Sequence, residues 1–549
     1  MKDISSTGSF IKFYLNNYIY IDKTQYIRDL IKLERVFISR PRRFGKSLTL
    51  DTIGTLFEKG VEPYFKGTWI YDKWTEPTYP VFRLSFLNLD NCSMDLFKKQ
   101  LNSIISEFAN KISVKGYVEK TEPEDSILCL LEKLEEETRQ IVILIDEYDY
   151  QLTSNINNDD LYKEFQQKIK RFYANIKDKF AIKFLGITGV TRLKDVAIFS
   201  VGSDIRDITN ASAYSQMIGF TRDEIKKYYI DYLKLAASYE NNCTVDDVTD
   251  AQIESLLGKL AQNYDGYCFD EFYKKKVFST WSVNSFFQSI IENKFVDFGE
   301  YWYDNGGLPS ILVNYLKTHE LNIFEYLDKD KFLKVSTDEF KNPTALTTIN
   351  QNVLMCQTGY LTLRSDLKKS STVLLGIPNG EIYKALNRLL ANNIFKGNTD
   401  VTDDQGKNLL EVGTVDDIIN LFNSALNSVS YDNYPIVSES SVQNMLKLYL
   451  LGAHQEVLSE VHEAKGRADL VVNTDNRRIV FEFKYAKNET EAKAKLTEAV
   501  EQIKTRNYGN IEPRKNELLR IAAVFNADPK VRAFTDYGSE RKIVGSIRS

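Results

Sequence analysis

The chain has 549 residues, of which 43% are hydrophobic and 27% charged, and its formal net charge is −5. These fractions are typical of globular proteins and exclude a disordered chain, a collagen and a coiled-coil rod, while the length predicts about three to four domains. The charge excludes a bulk polycation, so nucleic acid would have to bind at local basic patches.

No apolar run is long enough to cross a membrane, so we expect no membrane partner. The five cysteines are scattered and form no CxxC pair, which argues against a disulfide framework and a cysteine zinc site. Together with the lack of an apolar signal core at the start, these features predict a cytoplasmic protein with reduced thiols.

A strand, a basic loop and a helix follow one another early in the chain. Residues 35–39 (RVFIS) predict the strand, 40–47 (RPRRFGKS) the loop, and the pattern after Ser47 the helix. This order is typical of a phosphate-binding loop. In such a loop Gly45 lets the backbone approach the phosphates, Lys46 reaches the outer phosphates and Ser47 ligates Mg²⁺.

The full phosphate-loop pattern G-x-x-x-x-G-K-S/T is nevertheless not met. Arg40 occupies the position of the first glycine, and Pro41 can fix the turn instead through its restricted φ. The plainer alternative is a basic loop that precedes a helix and binds no nucleotide.

A second motif, IVILIDEYD, covers residues 141–149. Five apolar residues predict a buried parallel strand, and Asp146 and Glu147 stand at its carboxyl end, where open α/β sheets bind their ligands. We expect Asp146 to hold magnesium through water and Glu147 to orient or deprotonate the attacking water. The alternative is a strand that ends in a charged turn.

Residues 80–86 and 181–189 predict further strands of the same sheet. Thr188, at the tip of the second strand, is our candidate for contacting the γ-phosphate or the water. Arg192 and Arg206 follow and are candidates for a γ-phosphate contact, with ordinary surface arginines as the alternative.

The middle of the chain predicts structure more than chemistry. Apolar residues at helical spacing over 221–262 predict a helical lid, and 320–430 mixes short helices and strands. Gly266, flanked by aromatic residues, is either a nucleotide-side contact or a packing corner. The predicted domains are a nucleotide-binding core, a helical lid, a connecting module and a terminal domain, over 1–220, 221–320, 321–430 and 431–549.

The terminal domain carries a second set of charged residues. Its elements read as a helix, three strands, a helix and a strand, over 441–453, 456–463, 467–473, 478–486, 489–504 and 520–526. Strand alternation puts Glu482 and Lys484 on one face of an apolar strand, where charges are costly unless they serve each other or a metal. Asp469 and Glu482 could bind Mg²⁺, and Lys484 could position and help deprotonate a water for phosphodiester cleavage. The alternative is a structural ion-pair cluster or an inactive nuclease.

Several segments also point to known families. They are YIDKTQYIRDLI, FISRPRRFGKSLTLDTI, LIDEYD, ITGVTR, IGFTRDEI, NYDGYCF, WSVNSFF, TGYLTL and LGIPNGEI. They resemble the bacterial AAA-ATPase-like family, whose phosphate loop carries the same R-P-R-R-F-G-K. The resemblance implies an α/β fold with a P-loop ATPase core of the AAA type and a helical lid. It also implies ATP and Mg²⁺ as cofactors, with the nucleotide bound by Arg42, Arg43, Phe44, Gly45, Lys46, Ser47, Asp146 and Thr188.

The terminal segments SEVHEAKGRAD (459–469) and FEFK (481–484) resemble the PD-(D/E)XK nuclease superfamily, with Ala468 where a proline is usual. The resemblance implies an α/β nuclease fold. Its implied catalytic set is Asp469, Glu482 and Lys484.

The same resemblance implies secondary candidates around this set. Glu460 is a further acidic candidate, with Glu463 as its rival, and Arg467 is a candidate phosphate contact. Gln502 matches the family's glutamine on the helix after the E-x-K strand and is a candidate contact to the site or to DNA.

The leading interpretation is an ATP-binding and hydrolysing protein coupled to a Mg²⁺-dependent nuclease, with DNA favoured over RNA as partner. RPRR and the lysines of 487–504 are expected to supply phosphate contacts. Two alternatives stay open: an ATP-dependent switch or scaffold whose nuclease-like domain is inactive, and a DNA motor whose terminal domain only grips the strand. The oligomeric state is also open, with a homo-oligomer among the choices.

Overall fold

Five segments of the first half pair as parallel strands. They are β1 (Arg35–Ser39), β2 (Val81–Ser85), β3 (Ile141–Asp146), β4 (Ile182–Gly189) and β5 (Arg206–Asp207). Their order in the sheet is β2-β3-β4-β1-β5. The run from Ile141 to Ile145 is buried, as expected of a parallel strand covered on both faces. This order brings the carboxyl ends of β1, β3 and β4 side by side, where parallel sheets bind ligands.

The structure is a computed structural model. It describes residues 1–193, 204–304, 310–317, 319, 322–343, 345–395, 408–453, 455–463, 466–506, 508 and 515–543. The chain divides into two units. The first comprises Met1–His319 and Asp330–Ile382, and the second comprises Glu320–Lys329 and Tyr383–Ser549. The segment predicted as a connecting module is thus shared between the two units, and the four proposed domain boundaries stay a prediction.

Helices cover the sheet of the first unit and form a separate bundle beyond it. They are α1 (Phe10–Leu15), α2 (Thr24–Leu30), α3 (Lys46–Lys59), α4 (Met94–Lys111), α5 (Pro123–Glu136), α6 (Tyr150–Ser154), α7 (Asp159–Ile176), α8 (Arg222–Tyr228), α9 (Ile230–Asn241), α10 (Asp250–Tyr264), α11 (Thr280–Asn293), α12 (Tyr301–Asp304), α13 (Ser310–Leu316), α14 (Thr337–Lys341) and α15 (Gln351–Gln357). Helix α16 (Gly380–Ile394) begins in the first unit and continues into the second.

Helices α8 to α11 form the predicted helical region after the parallel sheet. Capping boxes start two of them, at Thr221 for α8 and at Thr249 for α10. Their apolar faces meet in one core that includes Leu233, Leu257 and Phe287. The helical spacing in the sequence therefore identified these elements correctly.

A small antiparallel sheet completes the first unit. It consists of β6 (Leu333–Ser336), β7 (Thr362–Leu363) and β8 (Thr372–Gly376), in the order β6-β8-β7. Alternating burial in β6, with Leu333 and Val335 inside, shows that one face of this sheet is packed.

The second unit is built on a mixed five-stranded sheet. Its strands are β9 (Glu456–Glu463), β10 (Gly466–Asn473), β11 (Arg477–Ala486), β12 (Glu517–Asn526) and β13 (Ala533–Ile543), in the order β13-β12-β11-β10-β9. Only β11 and β12 are parallel among these pairs. Helices α17 (Val415–Asn427), α18 (Glu439–Gly452) and α19 (Glu489–Thr505) accompany the sheet. The predicted order of elements is present, and the sequence analysis missed β13.

The faces of the central strand β11 follow the predicted alternation. Phe481 and Phe483 stack on each other and contact Phe422 of α17. Glu482 and Lys484 share the other face. Within the described residues, no helix is both long and apolar enough to cross a membrane.

Candidate active sites

The loop between β1 and α3 bends through backbone conformations that are unusual for most residues. Arg43 has a φ of 67° and Gly45 a φ of 98°. Glycine carries no penalty there, whereas Arg43 is held by its neighbours. Helix α3 begins immediately afterwards at Lys46, so its unpaired N–H groups end at this loop, as an anion-binding loop requires.

Lys46 is buried beneath the loop. Its Nζ donates to the carbonyl oxygens of Arg40 and Pro41, each at 2.9 Å. Burial lowers the pKa of Lys46, and the charges of Asp146 and Glu147 counteract this. The ammonium therefore bonds to loop carbonyls that phosphate oxygens could replace.

Asp146 collects two of the predicted hydroxyls. The Ser47 hydroxyl donates to its Oδ2 and the Thr188 hydroxyl to its Oδ1, both at 2.5 Å. Three residues from three different elements, α3, β3 and β4, thus meet at the carboxyl edge of the sheet. Two hydroxyls and a carboxylate form a set of hard oxygen donors suited to Mg²⁺.

Glu147 follows Asp146 with a φ of 51°. Its Oε2 is buried and has no hydrogen-bond partner. Burial raises the pKa of this carboxyl, and Lys46 counteracts the effect. A buried carboxylate oxygen without a partner is costly, so this atom fits a group that accepts a bond from a ligand or a water.

A cavity of about 480 Å³ opens over the loop and is lined by Arg42, Lys46, Ser47 and Glu147. Its remaining wall comes from segments to which the sequence analysis assigned no site residue. They include Ser6, Thr7, Gly8, Ile19, Tyr20, Ile218, Phe220 and Trp281. These residues lie in or near the motifs YIDKT, IGFTRDEI and WSVNSFF, so motif position was the only available signal.

The aromatic residue of the loop points away from this cavity. Phe44 is 1% exposed, and its ring packs against Tyr267, Phe269 and Trp302 with centroids 4.7, 5.5 and 6.1 Å away. A nucleotide contact by Phe44 would therefore use its main chain, while its side chain anchors the loop.

The loop's arginines do not form a basic surface patch, so that expectation was wrong for RPRR. Arg40 is 1% exposed, donates to the carbonyls of Ser39 and Thr209 and lies 4.1 Å above the ring of Phe269. Burial lowers its pKa to about 9. Only Arg42 of this group lines the cavity without a structural anchor being recorded.

Two other sequence alternatives are resolved by packing. The Arg192 Nε pairs with Asp207 Oδ2 at 2.5 Å, and Arg206 is exposed. Gly266 has a φ of 95°, and a Cβ there would collide with the carbonyl of Pro378. Gly266 is therefore a packing corner, and Arg192 is committed to Asp207.

In the second unit, Lys484 lies between two carboxylates. Its Nζ is 3.0 Å from Glu482 Oε1 and 3.2 Å from Glu439 Oε1. These charges raise the pKa of Lys484 although burial works against them. The ammonium form is thus favoured, which suits a positioning and charge-stabilising role more than that of a base. Glu439, in the first turn of α18, was missed by the sequence analysis.

Glu482 is almost completely buried, at 1% exposed, and its Oε2 has no hydrogen-bond partner. Burial raises its pKa to about 7, aided by the charge of Asp469 and opposed by Lys484. The carboxyl therefore has an oxygen available for a ligand and a neighbouring like charge that a cation would relieve.

Asp469 is held in a fixed orientation beside Glu482. Its Oδ2 accepts the Phe483 N–H at 2.8 Å, and its carbonyl accepts the Gln443 side-chain amide at 2.7 Å. Strands β10 and β11 thus bring the two predicted metal ligands together. Among the described residues no cluster of three or more His, Cys, Asp or Glu side chains is grouped for a metal. The Asp469–Glu482 pair nevertheless fits Mg²⁺, which binds few carboxylates and keeps waters.

Backbone register separates the two further acidic candidates. Ser459 pairs with Leu470 and Val461 with Ala468, which puts Glu460 opposite Asp469. Glu463 instead pairs with Gly466 at the end of the hairpin. The register favours Glu460 over Glu463. The side chains of both, and that of Arg467, lie outside the described residues.

A tyrosine organises the helix side of this site. Tyr508 is buried against Ala468 and Val480, and its hydroxyl accepts from Arg506 at 2.8 Å and from Gln502 at 3.5 Å. The hydroxyl bond and the charges of the two site carboxylates raise the pKa of Arg506. Gln502 thus reaches Tyr508 in this structure, and Arg506 is a cation near the site that the sequence analysis missed.

The predicted lysine patch on α19 is partly neutralised. Lys493 pairs with Glu489 at 2.7 Å and Lys495 with Glu491 at 2.9 Å, each one turn earlier. This face of the helix is therefore mixed in charge, and it offers less attraction to phosphates than the lysines alone predict.

Comparison with known proteins supports both halves of this description. Residues 5–199 match the family model described as predicted AAA-ATPase, and residues 437–534 match the PD-(D/E)XK nuclease superfamily. These two matches confirm the resemblance seen in the sequence. They also confirm the α/β fold class, with an AAA-type core and a terminal nuclease-like domain. The roles of the individual site residues stay predictions.

Two individual proteins are also similar. An uncharacterized protein in the vnfD 5′ region of Azotobacter chroococcum mcd 1 is 26% identical over 542 residues, which cover 94% of each chain. Cdc6p from Pyrobaculum aerophilum is 12% identical, and the match covers 71% of this chain and 99% of that one. Its TM-score of 0.24 is too low to support any argument.

Proposed function

We propose that this protein binds and hydrolyses ATP in its first unit and cleaves phosphodiester bonds of nucleic acid in its second, with Mg²⁺ at both sites. DNA is the proposed substrate. The two family matches support an ATPase coupled to a nuclease at the level of families. The proposed domains are a core over 1–220, a lid over 221–320, a connecting module over 321–430 and a nuclease domain over 431–549.

One observation carries the proposal. In each unit the carboxylate predicted to act at the reacting centre has a buried oxygen without a hydrogen-bond partner, Glu147 Oε2 in the first and Glu482 Oε2 in the second. Each lies beside a lysine whose charge acts on it, Lys46 and Lys484 respectively. An unpaired buried acceptor next to a cation is unfavourable unless a ligand completes the site.

In the first unit, the residues divide the work by position. Lys46 and the N–H groups at the start of α3 would hold the phosphates, and Ser47, Thr188 and Asp146 would hold the metal. Glu147 would orient the water and take its proton, because its raised pKa makes it a better base than an exposed carboxylate.

In the second unit, Asp469 and Glu482 would hold the metal, and the protonated Lys484 would position the water and offset charge on the phosphate. Magnesium, when bound, lowers the pKa of a water and neutralises phosphate charge. Gln502 and Arg506 are proposed contacts to the substrate. Glu460 is a proposed further acidic ligand because of its register position.

The test uses the full chain and two variants, Lys46→Ala and Asp469→Ala. Lys46→Ala should abolish ATP turnover, and Asp469→Ala should abolish cleavage while ATP turnover continues. Labelled single- and double-stranded DNA and RNA are incubated with Mg²⁺ or Mn²⁺, with and without ATP. This design also determines whether DNA is preferred.

Matched controls are the exposed Lys59→Ala, at the end of α3, and Asp475→Asn, in the turn before β11. Both should behave as the wild type. Metal-dependent cleavage that persists at the wild-type rate in Asp469→Ala would show that the nuclease assignment is wrong. ATP turnover that persists in Lys46→Ala would do the same for the ATPase.

A nucleotide-binding switch with little turnover is the second candidate. It is favoured by the ion pair between Arg192 and Asp207, which commits the arginine after β4 to a structural partner. Hydrolysis would then require a cation supplied from elsewhere. A turnover rate that rises when DNA or RNA is added would argue against this candidate.

A further inference from the structure

Several motifs of the first unit have no role in the proposed chemistry, yet they surround the phosphate loop. WSVNSFF contributes the first turn of α11, and LGIPNGEI contributes the start of α16. Both are connected to Arg43 of the loop by two chains of contacts. The two chains end on the same buried carboxyl group, that of Glu381.

The first chain runs through three consecutive residues of α11. The Thr280 hydroxyl donates to the Arg43 carbonyl at 2.8 Å, and the Trp281 ring lies 4.5 Å below the Arg43 guanidinium. The next residue, Ser282, donates its hydroxyl to Glu381 Oε2 at 2.7 Å. Because these residues share one helical turn, a shift of Arg43 is felt by Ser282.

The second chain runs through residues 301 and 302. The Tyr301 carbonyl accepts from the Arg43 guanidinium and from the Trp281 indole, each at 3.2 Å. The following N–H, of Trp302, donates to Glu381 Oε1 at 2.8 Å. Each carboxylate oxygen of Glu381 thus ends one of the two chains.

Glu381 is suited to report the position of the loop. It is 2% exposed, and burial raises its pKa to about 8 while the charge of Arg43 lowers it. A carboxyl group this deeply buried depends strongly on its few partners. It lies in the first turn of α16, which Asn379 caps by accepting the Ile382 N–H at 3.0 Å. From Tyr383 onward the residues of α16 belong to the second unit.

We propose that Glu381 is a positioning residue for the phosphate loop, and that helix α16 responds through it to nucleotide binding. The inference rests on the proposed function because it assumes that a nucleotide binds at the loop. Phosphates that draw in Arg42, Lys46 or the loop backbone also displace the carbonyl or guanidinium of Arg43. Both chains of contacts then change together, since packed side chains shift between discrete arrangements. Helix α16 is therefore a nucleotide-sensitive element that continues from the first unit into the second.

The experiment measures hydrogen exchange of the α16 amides in the full chain, with and without ADP and Mg²⁺, beside the nucleotide affinity. In the wild type, nucleotide should change the exchange of these amides by about fivefold or more. Glu381→Gln leaves a single acceptor for two donors. It should remove most of this response and weaken nucleotide binding by about fivefold or more.

Glu124→Gln is the matched control, because Glu124 is also a buried carboxylate of the first unit and pairs with Lys168 at 2.9 Å. It should keep both the affinity and the response of α16. Ser282→Ala removes only the first chain and should reduce the response to an intermediate value. This variant decides the matter if Glu381→Gln does not fold, as judged by circular dichroism.

The outcomes separate the two levels of the proposal. Nucleotide binding without any change in α16 exchange would overturn this inference and leave the proposed function standing. A wild-type response in Ser282→Ala and in folded Glu381→Gln would overturn it as well. A wild-type chain that binds no nucleotide would overturn the proposed ATPase and the inference with it.

Discussion

The two candidate sites arrange acid and cation in opposite ways. In the first unit, Lys46 bonds to main-chain carbonyls, and Asp146 bonds to hydroxyls from two other elements. In the second unit, Lys484 pairs directly with Glu482 from its own strand and with Glu439. The first site is thus assembled by loops, whereas the second is assembled mainly by neighbouring strands.

This difference decides how far each site can adjust. The first site depends on positive φ at Arg43, Gly45 and Glu147, and loop conformations of this kind can change when phosphates bind. The second site is held by the register of β10 and β11 and changes little without breaking the sheet. We therefore expect conformational response in the first site and rigid positioning in the second.

The largest effect is expected from Glu147→Gln. Because glutamine cannot take a proton from water, ATP turnover should fall about 10³-fold. Nucleotide affinity should be nearly unchanged, since the phosphates would be held by Lys46 and the loop. Steady-state turnover and equilibrium binding are measured in parallel, with the exposed Glu132→Gln as control. Equal losses in affinity and turnover would mean that Glu147 acts in binding instead.

Lys484→Ala should lower cleavage about 10²-fold by removing the charge that positions the water and offsets the phosphate. The exposed Lys487, three residues later, supplies the control Lys487→Ala, which should cleave normally. ATP turnover in the absence of nucleic acid should be the same for both variants. Unchanged cleavage in Lys484→Ala would contradict the rigid, strand-built site.

Titration of Glu482 should give opposite pH dependences to activity and stability. Cleavage should rise about tenfold per pH unit up to about pH 7, because metal binding requires the ionised carboxylate. In metal-free protein, a folded-state pKa raised from 4.5 to about 7 contributes stability below pH 4.5 that is lost as pH rises through about 7. Cleavage rates and metal-free melting temperatures between pH 5 and 8 measure the two trends. Glu482→Gln should flatten the second, and a melting temperature equally pH-dependent in this variant would contradict the assignment.

The smallest effect is expected from Glu439→Gln. Glu439 is partly exposed and bonds to Lys484 at 3.2 Å, so its loss should lower cleavage only about threefold. The pH profile of cleavage should move slightly downward, since a carboxylate near Glu482 has been removed. A loss as large as that of Lys484→Ala would show that Glu439 itself contacts metal or substrate.

Local sequence patterns determined most of the elements. The apolar run before Asp146 predicted β3, and strand alternation correctly put Glu482 and Lys484 on one face. These features depend on neighbouring residues and on the period of a strand, which a single sequence displays directly. The five-stranded second sheet was predicted one strand short, because β13 is largely polar and exposed.

What the tertiary structure decided depends on contacts between residues far apart in the chain. Nothing local distinguishes the buried Arg40 from an exposed arginine, or shows that Phe44 packs on Tyr267 and Trp302. The link from Arg43 to Glu381 crosses more than three hundred positions and requires the folded core. The sequence by itself therefore determined the two chemistries, because motifs are local, and the folded chain decided which side chains anchor the loop and which face the ligand, because burial depends on the whole fold.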